Sequence, residues 1–254
     1  MKMKIAAVAA GLALSASAFA GPVMWIGDSS GKLGKVDVAT GQVQVIGSMG
    51  QAMTDIAFDP QGNLYGINFG QLFRINKTNA QLTLVGNTGV GMNSLVFDYQ
   101  GNLYGANNSL YRINTNTGAA QLIGNGGAQY ASSGDLAFVG SQLYLSNVYG
   151  GDTLTRLDVN TGAGTNVGNI GFSAVYGLAT NDNVHLYGMS NTTILNIDTL
   201  TGQGTALVNY GGQGLGAAWG TAFIGEAVPE PETYAMMLLG LGAVGLYAKR
   251  RKAA

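Results

Sequence analysis

LYGINFGQLFRIN, residues 64–76, is a pair of short apolar runs separated by turn residues, and it returns as LYGANNSLYRIN at residues 103–114. The Leu-Tyr pair that opens it recurs at Leu143-Tyr144 and Leu186-Tyr187, with spacings of 39, 40 and 43 along the series, and Trp25 takes the tyrosine place at the start. A second marker follows each pair: LGKVD at 33–37, LFRIN at 72–76, LYRIN at 110–114, LTRLD at 154–158 and ILNID at 194–198. Then comes a turn, Thr40-Gly41, Asn79-Ala80, Thr117-Gly118, Thr161-Gly162 or Thr201-Gly202, and a further β run such as 42–46, 81–85 or 121–123. Residues 56–58 and the turn Asp59-Pro60-Gln61-Gly62-Asn63 complete the unit. Each repeat is thus four strands, a, b, c and d, in about 40 residues, the sequence signature of a β-propeller blade.

Five c and five d segments give five blades. The first repeat lacks strand a, and Gly216-Ala217-Ala218-Trp219 aligns with Asp135-Leu136-Ala137-Phe138 as the strand that completes it and closes the ring. Closure removes the exposed sheet edges through which β proteins aggregate. The expectation is an all-β, five-bladed β-propeller over residues 21–226, between a signal helix and a C-terminal transmembrane helix. A β-sandwich competes with it but needs no four-strand period.

Composition fits this reading. Charged residues are only 10%, glycines number 41 and prolines 4. Short apolar runs broken by Gly, Asn and Thr describe many tight turns rather than a disordered chain. Of the twelve basic residues, Lys2 and Lys4 open the chain and Lys249, Arg250, Arg251 and Lys252 nearly end it, which leaves a mildly acidic body. Nucleic acid needs a basic face and is not an expected partner. Without cysteine the chain has no disulfide, thiolate metal site or Cys nucleophile.

The ends read as addresses. Residues 1–20 form a signal peptide: a basic start, an Ala-rich apolar run over 5–18, and Ala18-Phe19-Ala20 before a cut that leaves Gly21 first, with signal peptidase the implied partner. At the other end Val228-Pro229-Glu230-Pro231-Glu232 lies in a spacer over 227–233. An apolar helix follows over 234–248, with Gly240, Gly242 and Gly245, and then the basic tail 249–254. Fifteen helical residues cover about 22 Å, short for a ~30 Å hydrocarbon core. The basic cluster acts as a membrane stop that stays cytoplasmic, so the body faces the periplasm.

Pro229-Glu230-Pro231, the Gly-bearing apolar run and the basic cluster together resemble the PEP-CTERM sorting signal of Gram-negative bacteria. The resemblance covers residues 228–252. It implies recognition by a membrane-embedded exosortase, cleavage near the Pro-Glu-Pro, and delivery of the body to the cell surface or the exopolysaccharide matrix. A plain tail anchor would need neither the Pro-Glu-Pro nor so short a span.

Candidate chemistry is sparse. Asp55 and Asp135 stand just before strand a, where Ser94, Gly177 and Gly216 are the counterparts, so two carboxylates would line the axial channel; glycosidases use such pairs at defined separations, and the alternative for Asp55 is a turn cap. Tyr130, Tyr149 and Tyr176 break the repeat and fall in loops, where they could stack on sugars or a partner surface. A basic position recurs on strand c at Lys35, Arg74, Arg112 and Arg156; it either pairs with a nearby Asp or carbonyl or forms a cationic ring for an acidic polysaccharide. The Asp/Asn-x-x-Thr-Gly turns offer one carboxylate each, too few for calcium. His185 is the single histidine. No catalytic constellation, metal site or cofactor is expected. The sequence describes a non-enzymatic surface or matrix propeller holding exopolysaccharide or a surface protein; a carbohydrate-active or quinoprotein-like enzyme is the alternative, by analogy of fold alone.

Overall fold

The computed structural model describes residue 19, residues 21–127 and residues 129–225; the leader residues Ala18 and Ala20, the spacer, the apolar run and the basic tail lie outside them. Twenty strands form five four-stranded antiparallel sheets. Blade 1 holds β1 (Val23–Asp28), β2 (Lys32–Asp37) and β3 (Val43–Ser48). Blade 2 holds β4 (Asp55–Phe58), β5 (Leu64–Asn68), β6 (Gln71–Ile75) and β7 (Leu82–Asn87). Blade 3 holds β8 (Ser94–Phe97), β9 (Leu103–Ala106), β10 (Leu110–Ile113) and β11 (Ala120–Gly124). Blade 4 holds β12 (Ser132–Val139), β13 (Gln142–Asn147), β14 (Thr153–Leu157) and β15 (Gly164–Asn169). Blade 5 holds β16 (Val175–Ala179), β17 (Leu186–Ser190), β18 (Thr193–Ile197) and β19 (Gly204–Asn209). The last strand, β20 (Ala218–Ala222), pairs with β1 and completes blade 1. No helix among the described residues is long and apolar enough to cross a membrane.

The core is five seams rather than one centre. Successive side chains of a strand point to opposite faces, so the two members of each Leu-Tyr pair serve different seams. Leu64 joins the cluster between blades 1 and 2, and Tyr65 the cluster between blades 2 and 3. Leu103 and Tyr104 do the same one blade on. At four seams the b-strand ring meets an aromatic from the next blade: Trp25 on Phe58, Tyr65 on Phe97, Tyr104 on Phe138 and Tyr187 on Phe223, with centroids 5.2–5.8 Å apart.

The c–d connections are Asx turns. Asp37 Oδ1 accepts from the N–H groups of Ala39 and Thr40 at 2.8 and 2.9 Å, and Asn114, Asp158 and Asp198 repeat the pattern. Every c–d pair also carries a register shift, the mark of a β-bulge that sharpens twist. Around the bulge, strand d runs backbone to backbone against the next blade's turn: a Cβ on Gly86 would overlap the Thr117 carbonyl, and one on Gly118 would sit 2.7 Å from the Gly86 carbonyl carbon. The Thr-Gly turn therefore fastens neighbouring blades besides reversing the chain.

Ring closure differs from expectation by four residues. Trp25 pairs with Ala222 and Gly27 with Gly220, so Gly220-Thr221-Ala222-Phe223 stands where Asp55-Ile56-Ala57-Phe58 stands in blade 2, not Gly216-Ala217-Ala218-Trp219. Both segments read Gly-x-Ala-aromatic. The second wins because it sets Phe223 on Tyr187 and buries it to 8% exposure, and because Gly220 meets the Asp55 backbone where any side chain would collide. Phe223→Ala should lower unfolding free energy by about 3 kcal/mol, read as a reduced urea midpoint; an unchanged midpoint would refute this register.

In this up-and-down arrangement the a–b and c–d connections share one face, termed lower, and the b–c and d–a connections the other. Phe19, Pro22, Trp25, Phe223 and Ile224 line one cleft of about 320 Å³, so both ends of the body leave together on the lower face.

Candidate functional site

The inner strands converge so closely that Asp55 and Asp135 are fully buried, Asp55 as the first residue of β4 and Asp135 within β12. The expected channel is filled at their level. A Cβ on Gly177 would lie 2.6 Å from the Thr221 methyl, and one on Gly220 would lie 2.5 Å from the Asp55 Cα. Asp55 Oδ1 accepts from the Ile56 N–H at 2.7 Å and Oδ2 from the Leu95 N–H at 2.6 Å. Asp135 Oδ1 accepts from the Leu136 N–H at 2.6 Å; its Oδ2 accepts from the Leu178 N–H at 2.7 Å and the Thr221 hydroxyl at 3.0 Å. Asp55 thereby bridges blades 2 and 3, and Asp135 bridges blades 4, 5 and 1, at the axis. The two carboxyls lie near enough for the charge of one to act on the other.

Burial pushes Asp135 up to about 8, and burial followed by the charge of Asp135 holds Asp55 well above the carboxylate range. Both carboxyls therefore hold their protons to higher pH than an exposed Asp does. Such shifts flag functional sites as well as structural ones. Here the oxygens are committed to backbone donors and the carbon framework around them is closed.

The three tyrosines separate. Tyr130 is 2% exposed inside the seam between blades 3 and 4, its hydroxyl without a hydrogen-bond partner and pushed up to about 12 by burial. Its ring is core and unavailable to a sugar. Tyr176 lies in β16, half-buried, with its backbone against Gly134, rather than in a loop. Tyr149 alone is on an open loop, the b–c connection of blade 4, at 55% exposure beside Val148.

Three of the four strand-c cations, Lys35, Arg74 and Arg112, lie on aromatic rings instead of meeting an Asp or carbonyl, and Arg156 makes no such ring contact among the described residues. Antiparallel pairing sets Lys35 opposite Trp25, Arg74 opposite Tyr65 and Arg112 opposite Tyr104. The charged groups stand 4.5, 5.3 and 5.4 Å from the ring centroids. Cation–π attraction of this kind positions a cation without neutralising it. Among the described residues the ion pair is His185 with Asp182, and no group of three His, Cys, Asp or Glu could hold a metal. Lower-face carboxylates such as Asp59 and Asp98 are folded back on their own turns. Arg112 opens into a polar cleft of about 470 Å³ with Asn102, Asn114, Thr117 and Gln121. The sequence held this signal in the hairpin register, which places position three of LFRIN opposite the tyrosine of Leu-Tyr.

The family comparison bears on the end of the chain. Residues 227–252 match the model of the PEP-CTERM protein-sorting motif. The chain carries a PEP-CTERM sorting motif. The motif implies an exported, membrane-anchored precursor that exosortase processes for surface display. No curated protein matches the chain. Solved structures do, at low identity. A chain described in work on the de novo evolutionary emergence of a symmetrical protein is 19% identical with TM-score 0.50, covering 78% of this chain and 94% of that one. A gluconolactonase from Xanthomonas campestris is 18% identical with TM-score 0.50, covering 80% of each chain. A chain of a nidogen/laminin complex is 15% identical with TM-score 0.52, covering 80% of this chain and 81% of that one. These likenesses show a shared fold.

Proposed function

We propose that the mature PEP-CTERM propeller is a non-enzymatic surface or matrix protein that holds an acidic exopolysaccharide along its cation–aromatic steps. The observation that carries this is the set Lys35, Arg74 and Arg112, each held over a ring and none within ion-pair distance of a carboxylate among the described residues. Anionic sugars offer carboxylates for the cations, while the buried rings of Trp25, Tyr65 and Tyr104 hold those cations in place. Repetition around the ring suits a polymer, because weak contacts multiply when linked. The buried, backbone-bound state of Asp55 and Asp135 supports a binding rather than hydrolytic role. The described body ends on the lower face, so exosortase cleavage of the chain beyond it would free that face for the polymer.

The test has two arms. Cells carrying the full chain or a chain lacking residues 228–254 are fractionated; retention of the shortened form in the inner membrane would count against sorting by the tail. The released body is then titrated with a uronic-acid polymer and with a neutral glucan. Preference for the acidic polymer, lost with rising salt and weakened roughly tenfold in Arg74→Ala/Arg112→Ala, is the expected result. Equal affinity for both polymers, or turnover that disappears in Asp55→Ala, would sink the proposal.

A further inference from the structure

Asp37 departs from its repeat. It is the turn residue of strand c in blade 1, equivalent to Asn76, Asn114, Asp158 and Asp198, which are all exposed, yet Asp37 is fully buried. The start of the body packs against it. The Gly21 backbone nitrogen donates to Asp37 Oδ2 at 2.9 Å, while Oδ1 keeps the turn's own amides. The Pro22 carbonyl accepts from the Val38 N–H at 3.0 Å, clamping the segment on the far side of the same carboxylate. Gly21 fits because it has no side chain: a Cβ there would be 2.8 Å from the Ala39 Cβ and 3.2 Å from Asp37 Oδ1. Signal peptidase reads small residues before the cut. The glycine after it answers to the fold.

We propose that Asp37 is a binding site for the α-ammonium group of the mature chain. Hydrolysis of the Ala20–Gly21 amide adds water across the bond, leaving the carboxylate on Ala20 and the amine, protonated at neutral pH, on Gly21. A neutral amide donor thereby becomes a cation beside a buried carboxylate. Charge-assisted hydrogen bonds are roughly twice as strong as neutral ones, so removing the leader tightens blade 1 at the seam where the ring closes. An uncut precursor folds without this ion pair. The inference rests on the export reading, and specifically on a cut after Ala20.

The experiment uses mature protein purified from the envelope of producing cells. Its first residue is established by N-terminal sequencing. The protein is then treated near neutral pH with an amine-acylating reagent, native and in urea, and labelling of the first peptide is followed by mass spectrometry against the lysines. In the native wild type the Gly21 amine should react at least roughly tenfold more slowly than in the unfolded chain. Asp37→Asn should abolish most of that protection, and Asp158→Asn, at an exposed turn, should leave it intact. Should Asp37→Asn fail to fold, Gly21→Ala, which moves the amine while preserving Asp37, is expected to show the same loss. An amine as reactive in the native protein as in urea overturns the ion pair and leaves the export reading standing. Protection that survives both variants overturns it too. A first residue other than Gly21 overturns the proposal together with the leader assignment.

Discussion

Gly86→Val is expected to destabilise the propeller by about 3 kcal/mol or more, a fall in midpoint temperature of roughly 10 °C for a domain of this size. The valine Cβ would have to occupy the space of the Thr117 carbonyl. Because that atom belongs to a hydrogen-bonded turn of the next blade, it cannot swing aside as a side chain would; two blades must part. Gly91→Ala is the matched control, since nothing lies within 4 Å of its Cβ position and its φ is not positive. Thermal unfolding of both variants checks the claim. Equal midpoints would mean that the backbone seam is not where the blades are fastened.

Alkaline destabilisation is the second large effect. Asp135 is pushed up to about 8 and Asp55 well above its ordinary value, chiefly by burial. In the unfolded chain both return to about 4. Between these limits the folded state binds more protons, so stability is complete below about pH 4 and is lost as pH rises toward and past 8. Each retained proton is worth about 1.4 kcal/mol per pH unit in that window. The urea midpoint should therefore be clearly higher at pH 5 than at pH 9. A midpoint that is flat or rises over that range would show that the axial pair is charged in the folded protein.

Strand identity, blade number and turn chemistry were legible because they repeat. The Leu-Tyr pair reports a strand whose two faces are both buried, and five copies of the c-strand marker count the blades. Closure was not legible, since Gly216-Ala217-Ala218-Trp219 and Gly220-Thr221-Ala222-Phe223 are locally equivalent and only pairing with β1 separates them. The fate of Asp55 and Asp135 could have been inferred from their counterparts. Ser94 and Gly177 are small because the axis has room for only two longer side chains. Tyr130 was misplaced for the opposite reason: it breaks the repeat by adding bulk to a seam, and absence from the repeat looked like exposure.

β20 ends at Ala222 and the sorting motif begins at residue 227. A chain crossing a membrane from its amino end therefore delivers the piece that finishes blade 1 last of all, a few residues ahead of the stretch the sorting machinery handles. Until then β1 lacks its inner partner, and its edge amides are bare. Completion of the body and arrival of its address label are thus a single event in time. A molecule stalled midway presents an open rim to proteases and chaperones, whereas one carrying its label can already be whole.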